Sequence, residues 1–313
     1  TLETDVLVAK FSNIGGVLKS LAFKEHKGEK KEPLQTVSQF KSFSNEEGCF
    51  LLALEKKTPL SYRFVSKEEL SHDYKITYKT SADGWEIKKT YIIDKNAYRI
   101  DLNIEFEPKK NAGEIVPRIF FPAPNVAELS DDAIDGITLG EDGKSIVEVS
   151  KDSELAGVWG APEIFGARNK YFVHSLVKDF DGFSVGGYYK RVNNHLYSIL
   201  LGDKVKDKKI WKMSFYMGPK SLDDLSFVDS RLEGVLSFGW LSWLAKILLR
   251  LLIYLYKYLG NYGLAIVVLT ILLKLPFVPL SIIGRKKLEH YQQYQHVVTR
   301  IKQKHKNDKY GDI

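Results

Sequence analysis

The sequence predicts a mainly β protein: a large β-sandwich, then a linker helix, an interfacial amphipathic helix, one transmembrane helix and the start of a cytoplasmic helix. Three observations carry that expectation. Apolar and polar residues alternate, broken by turn signals, from Leu2 to Met217. Two long apolar runs follow, Phe238–Leu259 and Leu264–Ile283. The positive charge of the chain is concentrated beside those runs.

The strands come first. In Arg99–Phe106 the residues Ile100, Leu102, Ile104 and Phe106 share one face, the pattern of a half-buried antiparallel strand. The same reading gives strands at 6–11, 17–23, 61–66, 74–79, 85–93, 171–176, 183–189, 196–201 and 210–217. Gly15-Gly16, Asp83-Gly84, Asp94-Lys95-Asn96, Asp142-Gly143, Asp181-Gly182, Asn193-Asn194 and Lys206-Asp207-Lys208 supply turns between them. Many short strands in one uninterrupted series indicate a sandwich spanning residues 1–218, without the strand–helix alternation of a nucleotide-binding domain.

After Gly218-Pro219-Lys220 the pattern changes. Ser221 with Asp223 and Asp224 reads as an N-cap followed by acids in a first turn, so a short, interrupted linker helix occupies 219–237. Phe238–Leu259 has 22 residues, 17 of them apolar, and Leu264–Ile283 has 20, of which 15 are apolar. Either run is long enough for a hydrocarbon core of about 30 Å.

Charge separates the two runs. Lys246, Arg250 and Lys257 fall within about 40° of one another at helical spacing, forming a basic stripe. Were the segment to span, Lys246 and Arg250 would lie near mid-membrane at about 2.5–3.5 kcal/mol each. Lying in the interface, the stripe faces headgroups, and Trp240, Trp243, Tyr254, Tyr256 and Tyr258 suit that depth. Residues 238–260 are therefore expected to be interfacial, and 261–283 to span.

The net charge of +7 divides accordingly. Residues 235–283 carry four bases and no acid; residues 284–313 carry eight bases against three acids; the other 234 residues carry 34 bases and 36 acids. A basic tail after the span places 284–313 in the cytoplasm and residues 1–237 on the opposite face. Nucleic-acid recognition is disfavoured, because the excess charge is not on the folded domain. The tail itself, Arg285–Lys306, has the spacing of an amphipathic helix with basic faces.

Lys274 is the residue with chemical interest. A cation at mid-bilayer normally faces a bundle interior or a hydrated cavity. Thr270, Ser281 and Gly263 fall within about 40° of it at helical spacing, so they form a polar line. Pro276 and Pro279 introduce a kink within two turns. Elsewhere the signals are weak. Cys49 is the only cysteine, which rules out an intrachain disulfide, and it reads as a buried structural thiol. His174 sits in a strand without a local partner. Asp131, Asp132 and Asp135 lack the spacing of a calcium loop and read as a polar loop. No metal site, cofactor motif or catalytic constellation emerges. The chain opens at Thr1 without a methionine or leader and ends in a charged run, so it reads as a piece of a longer protein.

These residues resemble a known family, the YidC-type membrane protein insertases of Gram-negative bacteria with a large periplasmic domain. The resemblance rests on Phe238-Gly239-Trp240-Leu241-Ser242-Trp243, on Gly260-Asn261-Tyr262-Gly263-Leu264-Ala265-Ile266-Val267-Val268-Leu269-Thr270, on Leu272-Leu273-Lys274-Leu275 and on Pro279-Leu280. Gly15-Gly16 with Leu18-Lys19-Ser20-Leu21, Lys170-Tyr171-Phe172 and Tyr216-Met217-Gly218-Pro219-Lys220 resemble recurring pieces of the periplasmic domain. The resemblance implies a periplasmic β-supersandwich shaped like sugar mutarotases. It also implies a membrane core with a hydrophilic groove, in which Lys274 takes the place of the groove cation and Thr270 that of the groove threonine. It implies a bacterial inner-membrane location, nascent membrane-protein chains and the lipid bilayer as partners, with the Sec translocon, its accessory subunits and the ribosome as further ones, and no enzymatic reaction.

Two departures stand out. The tail reads Tyr291-Gln292-Gln293-Tyr294-Gln295-His296-Val297, without the methionines usual in the cytoplasmic hairpin; both methionines, Met213 and Met217, lie in the β region. Lysine at 274 keeps the charge of the family's frequent arginine but not its bidentate fork. The rival reading from another class is a membrane-tethered carbohydrate-binding or sugar-processing β-sandwich, which would need a paired histidine and carboxylate in a cleft.

Overall fold

The computed structural model describes residues 1–27, 33–37, 48–54, 59–109, 112–125, 134–140, 142–150, 155–192, 195–236, 242–276, 278–279 and 299–301. The chain forms two compact units, Thr1–Leu236 and Ser237–Ile313.

Three antiparallel sheets make up the first unit. The four-stranded sheet holds Leu2–Glu3, Leu7–Ser12, Val17–Lys27 and Pro33–Val37 in that order. The five-stranded sheet runs Val158–Gly160, Ser184–Val192, His195–Gly202, Arg118–Pro122 and Leu51–Ala53. The nine-stranded sheet runs Ile146–Val149, Asp135–Leu139, Phe165–Arg168, Phe172–Asp179, Lys209–Pro219, Arg99–Pro108, Trp85–Asp94, Asp73–Ala82 and Arg63–Glu69. All ten strands read from the sequence are present, each starting within two residues of its expected position. Arg99–Pro108 buries Ile100, Leu102, Ile104 and Phe106 completely, the face its alternation marked. The Asp83-Gly84 turn joins two ten-residue strands with both φ angles positive, 50° and 82°, the two-residue hairpin turn that follows strand twist.

The remaining strands have no clear sequence signal: Leu2–Glu3, Pro33–Val37, Leu51–Ala53, Arg118–Pro122, Asp135–Leu139, Ile146–Val149, Val158–Gly160 and Phe165–Arg168. They are short, and their neighbours in the sheet define them. Asp135 corrects the polar-loop reading: it opens a strand, and its carboxylate meets Arg168, which also pairs with Glu148. Asp131 and Asp132 lie outside the described residues.

Two buried polar side chains of the nine-stranded sheet each grip both other sheets. Lys89, fully buried, donates from Nζ to the carbonyls of Gly15 at 3.2 Å, Gly16 at 2.8 Å and Phe50 at 2.7 Å. The first two form the turn inside the four-stranded sheet, and Phe50 leads into Leu51–Ala53 of the five-stranded one. Gly15 and Gly16 have φ of 72° and 53°, which glycine adopts without penalty. A Cβ on Gly16 would meet the Tyr62 ring at 2.9 Å. The rings of Tyr62 and Tyr91 lie 5.4 and 5.5 Å from the ammonium. Burial pushes the Lys89 pKa down to about 7.

His174 makes the second clasp. It is fully buried; Nδ1 donates to the Pro122 carbonyl at 2.9 Å, which leaves Nε2 to accept from the Thr36 hydroxyl at 3.2 Å. Thr36 is in the four-stranded sheet and Pro122 in the five-stranded one. Burial pulls its pKa down to about 4, so it is neutral, and both nitrogens are occupied. Cys49 is likewise buried, with its thiol pushed up by burial and 3.9 Å from the Met217 sulfur, the structural thiol expected.

Ser221 caps α1 (Leu222–Val228), its hydroxyl accepting from the Asp224 amide at 3.4 Å. Asp229 then caps a 3-10 turn, Ser230–Val235, which is the expected interruption. Leu225, Leu232 and Val235 are fully buried. Arg231 binds Asp229, Glu163 and the Val177 carbonyl.

Replacing Lys89 by methionine strands three buried carbonyls, and we expect a loss of about 3 kcal/mol in urea unfolding followed by tryptophan fluorescence. Between pH 7 and 10.5 the unfolded chain holds a proton on Lys89 that the native chain releases. The wild-type advantage over Lys89→Met is therefore constant below about pH 7 and grows as the pH rises toward 10.5. His174→Leu is expected to lose about 2 kcal/mol near neutrality, because two buried partners go unpaired. The His174 contribution is complete above pH 6.5 and lost as the pH falls toward 4, so the deficit of His174→Leu narrows over that interval.

Candidate functional site

The second unit contains a helical hairpin. Its first helix, α2 (Ser242–Leu259), exposes Arg250 and Lys257. Its second, α3 (Tyr262–Lys274), contacts α2. Gly260 ends α2 in the left-handed region at φ 63°, with its amide on the Tyr256 carbonyl at 2.8 Å. Asn261 then caps α3, its side-chain oxygen accepting from the amides of Gly263 at 2.8 Å and Leu264 at 3.3 Å. The Tyr256 and Tyr262 rings stack across this turn, centroids 3.8 Å apart and planes 8° from parallel. The tripeptide Gly260-Asn261-Tyr262 is thus a built corner.

Most apolar side chains of α3 face outward. Leu264, Ile266, Val267, Ile271 and Leu272 are exposed, while Ala265 is fully buried. An apolar surface of this extent calls for lipid or other helices around it. Thr270 and Lys274 lie one turn apart on α3, and both are exposed. The Thr270 hydroxyl donates back to the Ile266 carbonyl at 2.7 Å, so its oxygen keeps acceptor capacity. Lys274 sits in the last turn, where the helix dipole favours a cation.

The kink expected after Lys274 takes the form of a break in the helix, within the described part of the 261–283 segment. α3 is 13 residues, about 20 Å long, and gives way to a turn at Leu275-Pro276 before residues 278–279 become helical again. Pro276 has no amide to give the Leu272 carbonyl and its ring crowds that position, which accounts for the break. Among the described residues no helix is long and apolar enough to cross a membrane. Pro279 lies in the helical piece after the turn. Ser281 and Trp240 fall outside the described residues, as do the side chains of Lys246 and Trp243 and most of the 284–313 tail. Among the described residues no cluster of histidines, cysteines and acids is arranged to hold a metal.

The corner is open to test: Asn261→Ala removes the cap, at about 1 kcal/mol, and amide exchange at Gly263 and Leu264 in nanodiscs is expected to accelerate roughly fivefold.

Known proteins place both units. Residues 1–117 and 142–251 match the profile of the YidC periplasmic domain, and residues 254–311 match that of the 60Kd inner membrane protein. The membrane protein insertase YidC of Geobacter sp. (strain M21) is 28% identical over 332 residues, covering 99% of this chain and 61% of the relative. That of Geotalea uraniireducens (strain Rf4) is 30% identical over 337 residues, covering 98% and 61%. The chain thus spans about three fifths of the length of these relatives. A galactose mutarotase related enzyme from Lactobacillus acidophilus covers 71% of this chain and 97% of its own, at 9% identity and a TM-score of 0.42, too slight a likeness to bear on chemistry. With profiles matched across both units and relatives aligned along nearly its whole length, the chain belongs to the YidC family of inner-membrane protein insertases.

Proposed function

We propose that this chain is the periplasmic and first core part of an insertase and chaperone that helps nascent membrane proteins enter and fold in the inner membrane. The observation that carries the reading is the pairing of Thr270 and Lys274 on one line of an otherwise apolar, outward-facing helix, within a region that matches the inner-membrane profile. In hydrocarbon an acidic or polar segment has no partner, and its desolvation sets the barrier to crossing. A fixed ammonium and a hydroxyl acceptor lower that barrier for the passing segment, while the substrate's apolar helix leaves along the lipid-exposed side. No bond is made or broken, and no cofactor takes part.

In this reading residues 1–237 lie in the periplasm. α2 lies along the interface with its cations toward headgroups, and the segment Leu264–Ile283 crosses the bilayer with its break at Pro276. The basic tail from 284 stays in the cytoplasm, where it meets the ribosome. Nascent chains and lipid are the primary partners, and the Sec translocon with its accessory subunits an additional one. Pro276 and Pro279 open the helix beside Lys274 and give the groove its bend.

Lys274→Glu in the full-length protein, reconstituted in vesicles, tests this. Insertion of substrates with acidic translocated tails is expected to slow on the order of tenfold more than that of neutral ones, the factor that about 1.4 kcal/mol of barrier supplies. Lys274→Arg should leave both rates near wild type. Equal slowing of the two substrate classes would remove charge matching from the mechanism.

A further inference from the structure

At one end of the nine-stranded sheet a groove of about 790 Å³ opens beside Arg63, Lys79 and Lys109, with Glu86 as the one carboxylate among its lining residues. Its floor is assembled from fixed contacts. Glu86 is held between Lys79 at 3.3 Å and Lys109 at 3.1 Å, and Lys109 also donates to the Ser81 hydroxyl at 3.0 Å. Thr80 donates to the Ser61 carbonyl at 2.7 Å, tying the preceding loop to the sheet. Arg63 stands opposite Lys79 in register, exposed and without an ion pair among the described residues. The lining described therefore has three cations for one acid, and the Arg63 guanidinium meets no carboxylate among the described residues.

The groove continues into the edge of the sheet. Arg63–Glu69 is the outermost strand, seven residues long and exposed at six of them. Its pairing with Asp73–Ala82 shifts register between Phe64 and Ser66, and Phe64 and Val65 are exposed, 47% and 43%. An edge strand of this kind offers backbone donors and acceptors to an incoming extended chain. A seven-residue edge spans about 23 Å, more than a single headgroup or phosphate would cover.

We propose that this groove and edge form a docking site for an extended acidic polypeptide segment. It would pair its backbone with Arg63–Glu69, set carboxylates against Arg63 and the Lys79–Lys109 pair, and rest an apolar side chain on Phe64 and Val65. That the segment comes from a translocated chain rests on the function proposed above; the binding itself does not.

The test uses the full-length protein in nanodiscs of zwitterionic lipid and a labelled ten-residue synthetic peptide alternating Glu with Val, read by fluorescence anisotropy. The acidic peptide is expected to bind, with Kd rising several-fold between about 50 and 300 mM salt. Arg63→Glu is expected to raise Kd on the order of tenfold. An unchanged thermal transition of the variant would confirm that its fold is kept, and Lys109→Glu serves as a second variant should Arg63→Glu unfold. Equal binding of a Lys-for-Glu peptide, or binding indifferent to both variants, overturns the proposal. So does displacement of the peptide by inorganic phosphate at low millimolar concentration, or binding only of phosphatidylglycerol vesicles, either of which assigns the cations to a phosphate ligand. Because the peptide is added to a protein that is inserting nothing, this outcome is independent of Lys274.

Discussion

The β unit depends on an ammonium placed where no water reaches it. Lys89 converts three carbonyls from two separate chain segments into acceptors of one donor, and those segments belong to the two sheets that do not contain it. Isolated, each carbonyl would be a buried acceptor without a partner, and the charge would be far more costly still. Together they are satisfied, and the tyrosine faces beside the ammonium supply what the carbonyls leave over. The same cluster keeps Phe50 in the left-handed region at φ 66°, a conformation that a bulky residue holds only when packing enforces it. Its ring is wedged edge-on against Phe215 at 4.7 Å.

Only half of this clasp is visible in the sequence. In Trp85–Asp94 the inward positions are Trp85, Ile87, Lys89, Tyr91 and Ile93, so strict alternation alone sends a lysine into the core. Its neighbour Lys88 points the other way and pairs with Glu105. Nothing local identifies the acceptors, which are 39, 73 and 74 residues away. Long strands with clean alternation and Asp-Gly turns were legible because their information is local. Three- to five-residue strands such as Val158–Gly160 were not, because only their neighbours make them strands. In the second unit the one-turn spacing of Thr270 and Lys274 is local and visible in the sequence, as is the proline at 276, whereas how sharply that proline interrupts the helix depends on the turn that follows Lys274.

The two units obey opposite rules about where apolar residues go. In Thr1–Leu236 tryptophan, phenylalanine and even lysine are enclosed, with Trp85, Phe106, Trp211 and Phe183 meeting edge to face in succession. In the hairpin the leucines, isoleucines and valines of α3 stand outward, and the small Ala265 is what is buried. An outward apolar surface of this kind calls for lipid or other helices around it, which the enclosed core of the β unit does not. Gly260 and Asn261 form a corner sharp enough to return the chain on itself within a few residues.

The two clasps also share a direction. Every acceptor of Lys89 precedes it in the chain, at Gly15, Gly16 and Phe50, and both partners of His174 precede it too, at Thr36 and Pro122. A polypeptide made and exported from its N-terminus therefore delivers the sockets before the plugs. The first clasp has all of its parts once residue 89 emerges, and the second must wait for residue 174. Until then the earlier strands hold open polar sites that only later sequence can close, so the fold is timed by the order in which its buried donors arrive.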